Sequence, residues 1–391
     1  MAPSIVEDIL RERKKPLLVL DPMAGSGTTL AMAASLGHKA IGFDTDPLAV
    51  LLSSTLSIPV DETKTIRTAK RILRSAREAY NDLEAITAYP SHASIQEKEF
   101  LRYWFCRKSR KQLHCLSLRI LRLRNKFVQR ILWIAFSRMI IKKDNGVSLA
   151  ADISHSRPHR VYNTSPVKPF DSFLTCVEKV LHGIKNLNLS NPTKITARLG
   201  DARRLLVKNE SIDLIITSPP YFNAIDYMRG HKMSLIWMGY RLPDLKSIRS
   251  TNVGAETGQQ LAHRDIAITN ALRKIGPIKR LPQRQVEMLS KFVWDMNLII
   301  QETSRVLVPR GEAFFVIGDS NLKGTFIKNS AALKSLAKSN GFEVFKTTRR
   351  NIPDNRRYLP PPSRMGRDSL GLRMRTEVVI GLRKINNSLI N

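Results

Sequence analysis

The sequence predicts an α/β protein built on one doubly wound, mostly parallel sheet, and three observations predict it. An apolar run, Leu17-Leu18-Val19-Leu20, ends in Asp21-Pro22 and passes through Ala24-Gly25-Ser26-Gly27 into a helix-forming stretch from Thr28 to Ala34. That is a buried strand, a tight turn and a helix start. A second apolar run, Ala40-Ile41-Gly42-Phe43, closes on Asp44, 17 residues after Gly27. Short apolar runs and helix-period stretches then alternate again from about residue 170 onward.

Taken in order, residues 1–13 read as an amphipathic helix with Ile5, Ile9 and Leu10 on one side. After Asp44, Thr45-Asp46-Pro47 is a cap with proline at a helix start, and a further helix covers 64–83. From about 89 to 162 the character changes. Residues 102–160 hold 15 Lys and Arg against two acids, Asp144 and Asp152. Within this stretch Leu113, Leu116, Ile120, Leu123, Phe127, Ile131 and Ile134 recur at steps of three or four, the pattern of one helix face. Arg119, Arg122, Lys126 and Arg130 recur in the same way on another face, so one side packs and the other is expected to face an anion, as nucleic-acid-binding residues would, or only water. Residues 152–160, DISHSRPHR, read as a polar, proline-broken loop whose Arg157, His159 and Arg160 suit phosphates or base edges.

Strands are expected at 195–199, ending at Gly200-Asp201, and at 211–217, running into Ser218-Pro219-Pro220-Tyr221. A second basic segment, 241–285, comes next, with nine Lys and Arg against three acids over residues 241–284. A helix over 286–307, a strand at 312–317, a helix near 329–339 and strands at 342–347 and 376–382 complete seven strands in one sheet with insertions.

Composition bounds the partners. The formal net charge is +31, from 64 Lys and Arg against 33 Asp and Glu, so a large polyanion is expected. Three cysteines without paired spacing point to a reducing compartment. Cys106, His114 and Cys115 lack the fourth ligand and spacing of a metal site, and no metal is expected. No signal-peptide pattern or membrane-length apolar run is present, and a cytoplasmic protein without a membrane partner is expected.

Two stretches carry chemistry. Gly25 and Gly27 allow positive φ and close approach of a ligand to the main chain, and the N–H groups opening the following helix favour a carboxylate or phosphate. Asp44 stands where a doubly wound nucleotide site puts the acid that takes a ribose diol. A dinucleotide fingerprint wants a third glycine at position 30, which is Leu30 here. A nucleoside with a short anionic tail fits better, and S-adenosylmethionine is the common one. In the second stretch, Pro219 and Pro220 fix φ and remove two N–H donors, so the carbonyls there are rigid acceptors for an exocyclic amino group. Tyr221 offers a flat face for a base.

DPMAGSGTT followed by TSPPY resembles the amino-methylating DNA methyltransferases, which transfer a methyl group from S-adenosylmethionine to the exocyclic nitrogen of cytosine or adenine. The resemblance implies the class I methyltransferase fold, a Rossmann-like sheet of seven strands with the last antiparallel, and a target base flipped out of double-stranded DNA. It implies cofactor-binding roles for Asp21, Pro22, Ala24, Gly25, Ser26, Gly27, Thr28, Asp44 and Asp201, and catalytic roles for Ser218, Pro219, Pro220 and Tyr221. The serine at 218 is similar to the cytosine-N4 subgroup. The order of motifs, with about 190 residues between them, resembles members whose target-recognition region is inserted in the middle.

On this basis residues 1–88 are expected to form the cofactor half and 89–165 a basic, largely helical insertion for target recognition. Residues 166–391 would form the catalytic half, with 241–285 as a second DNA-facing segment. The family's segment ahead of the first strand has only about 15 residues to stand for it, so Ala2-Pro3-Ser4 and the first helix take that place or the pocket is more open. A restriction endonuclease is a partner the resemblance allows. Two rival readings use the same motifs: an RNA base amino-methyltransferase, which Ser218 argues against, and a non-catalytic nucleic-acid-binding protein with the fold, which the intact motifs argue against.

Overall fold

A computed structural model describes residues 1–57, 59–81, 87–142, 145–151, 158–187, 194–222, 226–254, 265–278, 281–322, 325–352 and 376–385. The chain opens with α1 (Pro3–Arg11), β1 (Leu18–Asp21), α2 (Thr28–Ser35), β2 (Lys39–Asp44) and α3 (Pro47–Thr55). Helices α4 (Glu62–Asn81), α5 (Ile95–Trp104), α6 (Arg107–Leu121) and α7 (Lys126–Ile140) follow. A short hairpin of β3 (Ala150–Ala151) and β4 (His159–Arg160) leads to α8 (Pro169–Lys185). Next come β5 (Ile195–Leu199), β6 (Ile212–Thr217), α9 (Met228–Leu235), α10 (Leu242–Thr251), α11 (Ile266–Ile275) and α12 (Gln283–Val306). The chain closes with β7 (Leu307–Ile317), β8 (Ser320–Leu322), β9 (Thr325–Ile327), α13 (Asn329–Ser339), β10 (Phe342–Asn351) and β11 (Thr376–Lys384).

These elements form two compact units, Met1–Ser54 with Thr193–Ala224 and Ser250–Asn391, and Thr55–Pro192 with Ile225–Arg249. The first unit holds a seven-stranded sheet in the order β10-β11-β7-β6-β1-β2-β5. Pairings from β7 through β6, β1 and β2 to β5 are all parallel, while β11 is antiparallel to both β7 and β10. This is the class I methyltransferase fold, with the seventh strand reversed between the fifth and sixth. The strand order turns back between β1 and β6, and in open α/β sheets ligands bind outside the carboxyl ends of the strands at such a point.

The strands form where the sequence places apolar runs; the central strands β1, β6 and β11 are largely buried, while the edge strands β5 and β10 are mostly half-buried or exposed. Leu20, Ile215, Phe315, Ile317 and Ile380 of the sheet share one core with Phe292, Val293, Met296 and Ile300 of α12 and with Leu333 and Leu336 of α13. Helix α1 buries Ile5, Val6, Ile9 and Leu10 and packs beside α2.

The second unit is largely helical. Phe105 and Phe136 meet the fully buried Trp237 edge-on, at 5.7 and 6.5 Å between ring centroids. The single helix face expected from Leu113 to Ile134 is corrected here: the stretch is two helices, α6 and α7. Asn125 caps α7 by accepting N–H bonds from Phe127 and Val128, each at 3.1 Å. Gln129 donates to the carbonyls of Ile120 and Leu121 at the end of α6, at 2.8 and 2.9 Å. The turn shifts the helical phase, so Phe127 lies 56% exposed while Leu113, Leu116 and Ile131 are buried. The expected polar loop 152–160 is corrected in part, since His159 and Arg160 pair with Ala151 and Ala150 as a strand; residues 152–157, with Arg157, lie outside the described residues. No helix among the described residues is long and apolar enough to cross a membrane.

Gly42, in the middle of β2, illustrates how tightly the sheet seats the first motif. A Cβ there would stand 2.7 Å from Leu30 Cδ1 of α2 and 2.9 Å from Ala24 Cβ of the turn. Gly42→Ala is therefore expected to lower stability by about 1–3 kcal/mol, measured by denaturant unfolding.

Candidate active site

The first motif folds as its residues dictate. Gly25 has φ of +52° and Gly27 of +85°, conformations that Cβ-bearing residues rarely take, and among the described residues nothing lies within 4 Å of where a Gly25 Cβ would stand. The turn closes on itself through the Gly27 N–H bond to the Ala24 carbonyl, at 2.8 Å, and is fixed to β2 by the Ala24 N–H bond to the Phe43 carbonyl, also at 2.8 Å. Among the described residues no side chain caps α2, and helix-opening N–H groups of this kind suit a ligand or water.

Asp44, at the end of β2, accepts the Gly25 N–H on one oxygen at 2.8 Å and the Asp46 N–H on the other at 2.9 Å. Each oxygen keeps a lone pair, so the carboxylate can still accept from two neighbouring hydroxyls. Burial pushes its pKa up to about 6, against the bonds from Asp46 and Gly25 that favour the ion.

Asp21 is placed differently. It is only 2% exposed, and its Oδ1 accepts the Thr217 hydroxyl at 2.7 Å and the Met23 N–H at 3.1 Å. Burial raises its pKa, with Thr217 pulling the other way. Thr29 of α2 donates to the Ile216 carbonyl at 3.3 Å. The glycine turn is thereby fastened to the last residues of β6, and Ser218 follows Thr217 directly. Beyond it, Pro219 is buried, and Ser218, Pro220 and Tyr221 are half-buried. Tyr221 packs against the core, and Phe222 anchors the segment on Phe292 with 5.7 Å between ring centroids.

Asp201 follows β5, whose end joins β2 through the Gly200 N–H bond to the Asp44 carbonyl at 3.0 Å. Its carboxylate is gripped by Arg203, with Nε at 3.0 and 3.1 Å from the two oxygens and Nη2 at 2.6 Å from Oδ2. Burial pushes the Asp201 pKa up, but the hydrogen bonds and charge of Arg203 hold it below its ordinary value. Arg203 also donates to the buried Asp295 at 2.7 Å and to the Thr251 carbonyl at 2.7 Å. Asp295 takes Lys291 at 2.6 Å and the Gly254 N–H at 3.0 Å, while Thr45 donates to Asn252 at 3.0 Å. Residues 251–254 are thus tied to the loops that follow both β2 and β5.

The structure therefore brings Asp21, Pro22, Ala24, Gly25, Ser26, Gly27, Thr28, Asp44, Asp201 and Ser218 to the carboxyl ends of β1, β2, β5 and β6. Sequence reasoning missed Thr217, Arg203 and Asp295. The signal for Asp295 was available, because it sits between Phe292 and Ile299 on the apolar face of α12. The basic residues are not brought together as expected. Arg119 turns inward, donating to Ser75 at 2.8 Å and to the Cys115 carbonyl at 3.0 Å. Arg122 caps the end of α6, and Lys126 and Arg130 belong to α7, so the four make no single helical stripe. His159 and Arg160 are exposed on β4. Among the described residues no cluster of three or more His, Cys, Asp or Glu is placed to hold a metal ion.

The Asp21–Thr217 bond makes a specific demand. Thr217→Val removes the hydroxyl and leaves a buried carboxyl short of a donor, so stability is expected to fall by about 1–3 kcal/mol in denaturant unfolding.

No family profile matches the chain. The chain is 21% identical over 421 aligned residues to the Type II methyltransferase M.MvaI of Kocuria varians, covering 99% of this chain and 89% of that protein. It is 27% identical over 152 residues to the Type II methyltransferase M.AvaI of Anabaena variabilis, covering 34% of this chain and 31% of that one. Among solved structures, a methyltransferase of Methanosarcina mazei described as S-adenosylmethionine-dependent aligns at a TM-score of 0.35 and 10% identity, covering 97% of each chain. A putative DNA modification methylase of Thermus thermophilus, solved with S-adenosylmethionine, aligns at 0.26 and 16%, covering 48% of this chain and 52% of that one. The fold follows from the strand order, and along nearly its whole length the chain is similar, at 21% identity, to the Type II methyltransferase M.MvaI.

Proposed function

We propose that this protein is a cytoplasmic, site-specific DNA methyltransferase that uses S-adenosylmethionine and modifies the exocyclic amino group of a flipped base, cytosine N4 in preference to adenine N6. One observation carries the reading: the Asp21–Thr217 bond fastens the glycine turn to the strand that delivers Ser218-Pro219-Pro220-Tyr221. A cofactor turn and an amine-gripping motif then stand side by side where the strand order reverses. The relationship to M.MvaI supports DNA as the substrate. A cognate restriction endonuclease would be the natural partner of such an enzyme.

The residues fit the cofactor. The open space at Gly25 admits a ligand against the main chain, the uncapped start of α2 suits its carboxylate, and Asp44 keeps acceptor capacity for both ribose hydroxyls. When bound, the cofactor supplies an electrophilic methyl group on a sulfonium. Ser218 and the carbonyls that Pro219 and Pro220 hold rigid accept the N–H groups of the target amine. This draws the nitrogen lone pair out of conjugation and aims it along the line of transfer. The proton lost from the amine leaves to water. Tyr221 supports the flipped base by stacking, and Phe222 keeps that segment seated.

The direct test is to incubate the protein with labelled S-adenosylmethionine and either genomic DNA or total RNA, then analyse the nucleosides. N4-methylcytosine in DNA is expected, while label confined to RNA would overturn the reading.

Two variants separate the roles. Tyr221→Ala is expected to lower turnover by about ten- to a hundredfold with little change in cofactor affinity, whereas Asp44→Ala weakens cofactor binding first in a calorimetric titration. The wild-type affinity should also fall as pH drops through about 6, because the Asp44 carboxylate becomes protonated there and loses acceptor capacity; Asp44→Asn should flatten that dependence. The stability effect has the opposite sign. With its pKa raised from 3.8 to about 6, ionised Asp44 costs the fold stability above pH 6, and that cost is relieved as pH falls through the same range.

A further inference from the structure

Within the second unit, one edge of α5 carries three aromatic rings, Phe100, Tyr103 and Trp104, at positions that share a helix face. The Trp104 ring meets Tyr103 edge-on at 4.8 Å and Phe100 at 6.3 Å. Such a ladder would ordinarily be core, but Tyr103 is 52% exposed. Two cations from other elements lie on it. Arg160 of β4 stands over the Tyr103 ring at 5.4 Å from its centroid, and Lys232 of α9 stands over Phe100 at 5.3 Å. Phe100 and Tyr103 are one helical turn apart, so the cations are held at neighbouring points along one short helix.

The helix beneath them is rigidly mounted. Ser94 and Glu97 form a capping box, and the fully buried Glu97 also accepts the Leu242 N–H at 2.9 Å. Although burial opposes it, the bonds from Ser94 and Leu242 hold the Glu97 pKa near 2, so this anchor stays ionised. Arg160 is fixed through its strand pairing with Ala150. Among the described residues neither Arg160 nor Lys232 has an ion-pair partner, and the nearby Asp226 is engaged by Arg229 and Arg249. Burial, followed by the charge of Arg249, pulls the Lys232 pKa down, with Lys246 and Arg229 adding to it against Asp226. A cation in such company is stabilised by an incoming anion.

We propose that this stripe is a contact surface for the sugar–phosphate backbone of duplex DNA, with Arg160 and Lys232 each neutralising a phosphate and Tyr103 and Phe100 acting as positioning residues that hold them. The proposal rests on DNA being the substrate, as argued above. Backbone contact is favoured over base reading because both cations are presented alike, each lying over a ring face, and most polar contacts of proteins to DNA go to phosphate and sugar. Charge complementarity to a polyanion is supplied by a chain of net charge +31.

The test is anisotropy titration of full-length protein with a mixed-sequence duplex across a salt series, alongside cofactor titration and thermal melting. Arg160→Ala and Lys232→Ala should each reduce the slope of log affinity against log salt by about one. Tyr103→Ala and Phe100→Ala should keep the slope, since no charge is lost, yet weaken binding about two- to fivefold, and Tyr103→Phe should bind like the wild type. Cofactor affinity and melting should be unchanged in Arg160→Ala, which separates the effect from misfolding. An unchanged salt slope in the Arg160→Ala, Lys232→Ala double variant would overturn the proposal, as would a loss confined to one DNA sequence, which would mark a base reader. Wild-type duplex binding without methyl transfer would sink the proposed activity and leave the stripe standing. Methyl transfer to DNA with an unmoved slope would do the reverse, and binding of RNA alone would remove both.

Discussion

A buried carboxylate that takes a hydroxyl from a buried threonine is the constraint on which the site depends. Asp21 and Thr217 are 196 residues apart and lie at the carboxyl ends of neighbouring strands, on either side of the point where the strand order reverses. Burying a carboxyl is costly, and the cost is offset only if its lone pairs are used. The strand ends are therefore held in one register, because any slip would strand the acid in an apolar interior. The glycine turn and the Ser-Pro-Pro-Tyr segment inherit that register.

Around this bond the loops are tied to one another in a chain of polar contacts. Asp44 links β2 to the glycine turn, the Gly200 N–H links β5 to β2, and Arg203 links the loop after β5 to α12 and to residues 251–254. Asp201, expected as a ligand for the cofactor, spends its oxygens on Arg203. In doing so it orients a guanidinium that also satisfies Asp295 in the core. Charged groups so paired are geometrically demanding, which suits a site whose loops must be held within fractions of an ångström.

The second unit follows a different logic. Its helices are amphipathic and bury a conventional core around Trp237, and two of its arginines turn inward, Arg110 buried and Arg119 bonded to Ser75. Where the charges sit is decided by local breaks. The Asn125 cap divides one expected helix into two, turns Phe127 to solvent and separates Arg119 from Arg130. The α5 stripe, with cations from β4 and α9 layered on its rings, arises from three chain segments that are distant in sequence.

The seven strands, the glycine turn with its distal acid and the proline-rigidified motif after the fourth strand of the sheet are legible in the order of residues alone. Each of these is a local matter. Apolar runs make buried strands, positive φ requires glycine at 25 and 27, and Pro219-Pro220 admits few backbone conformations. The seven strands of the main sheet fall where the runs are, although β7 begins at Leu307 rather than at 312, β10 and β11 extend a few residues further, and the β8–β9 hairpin is not among those expected. That Asp21 spends its carboxylate on Thr217, that Arg203 bridges Asp201 and Asp295, and that Arg160 and Lys232 converge on α5 emerges from the three-dimensional arrangement. These depend on which distant residues the fold makes neighbours, and a one-dimensional pattern carries no term for a hydrogen bond across 196 positions.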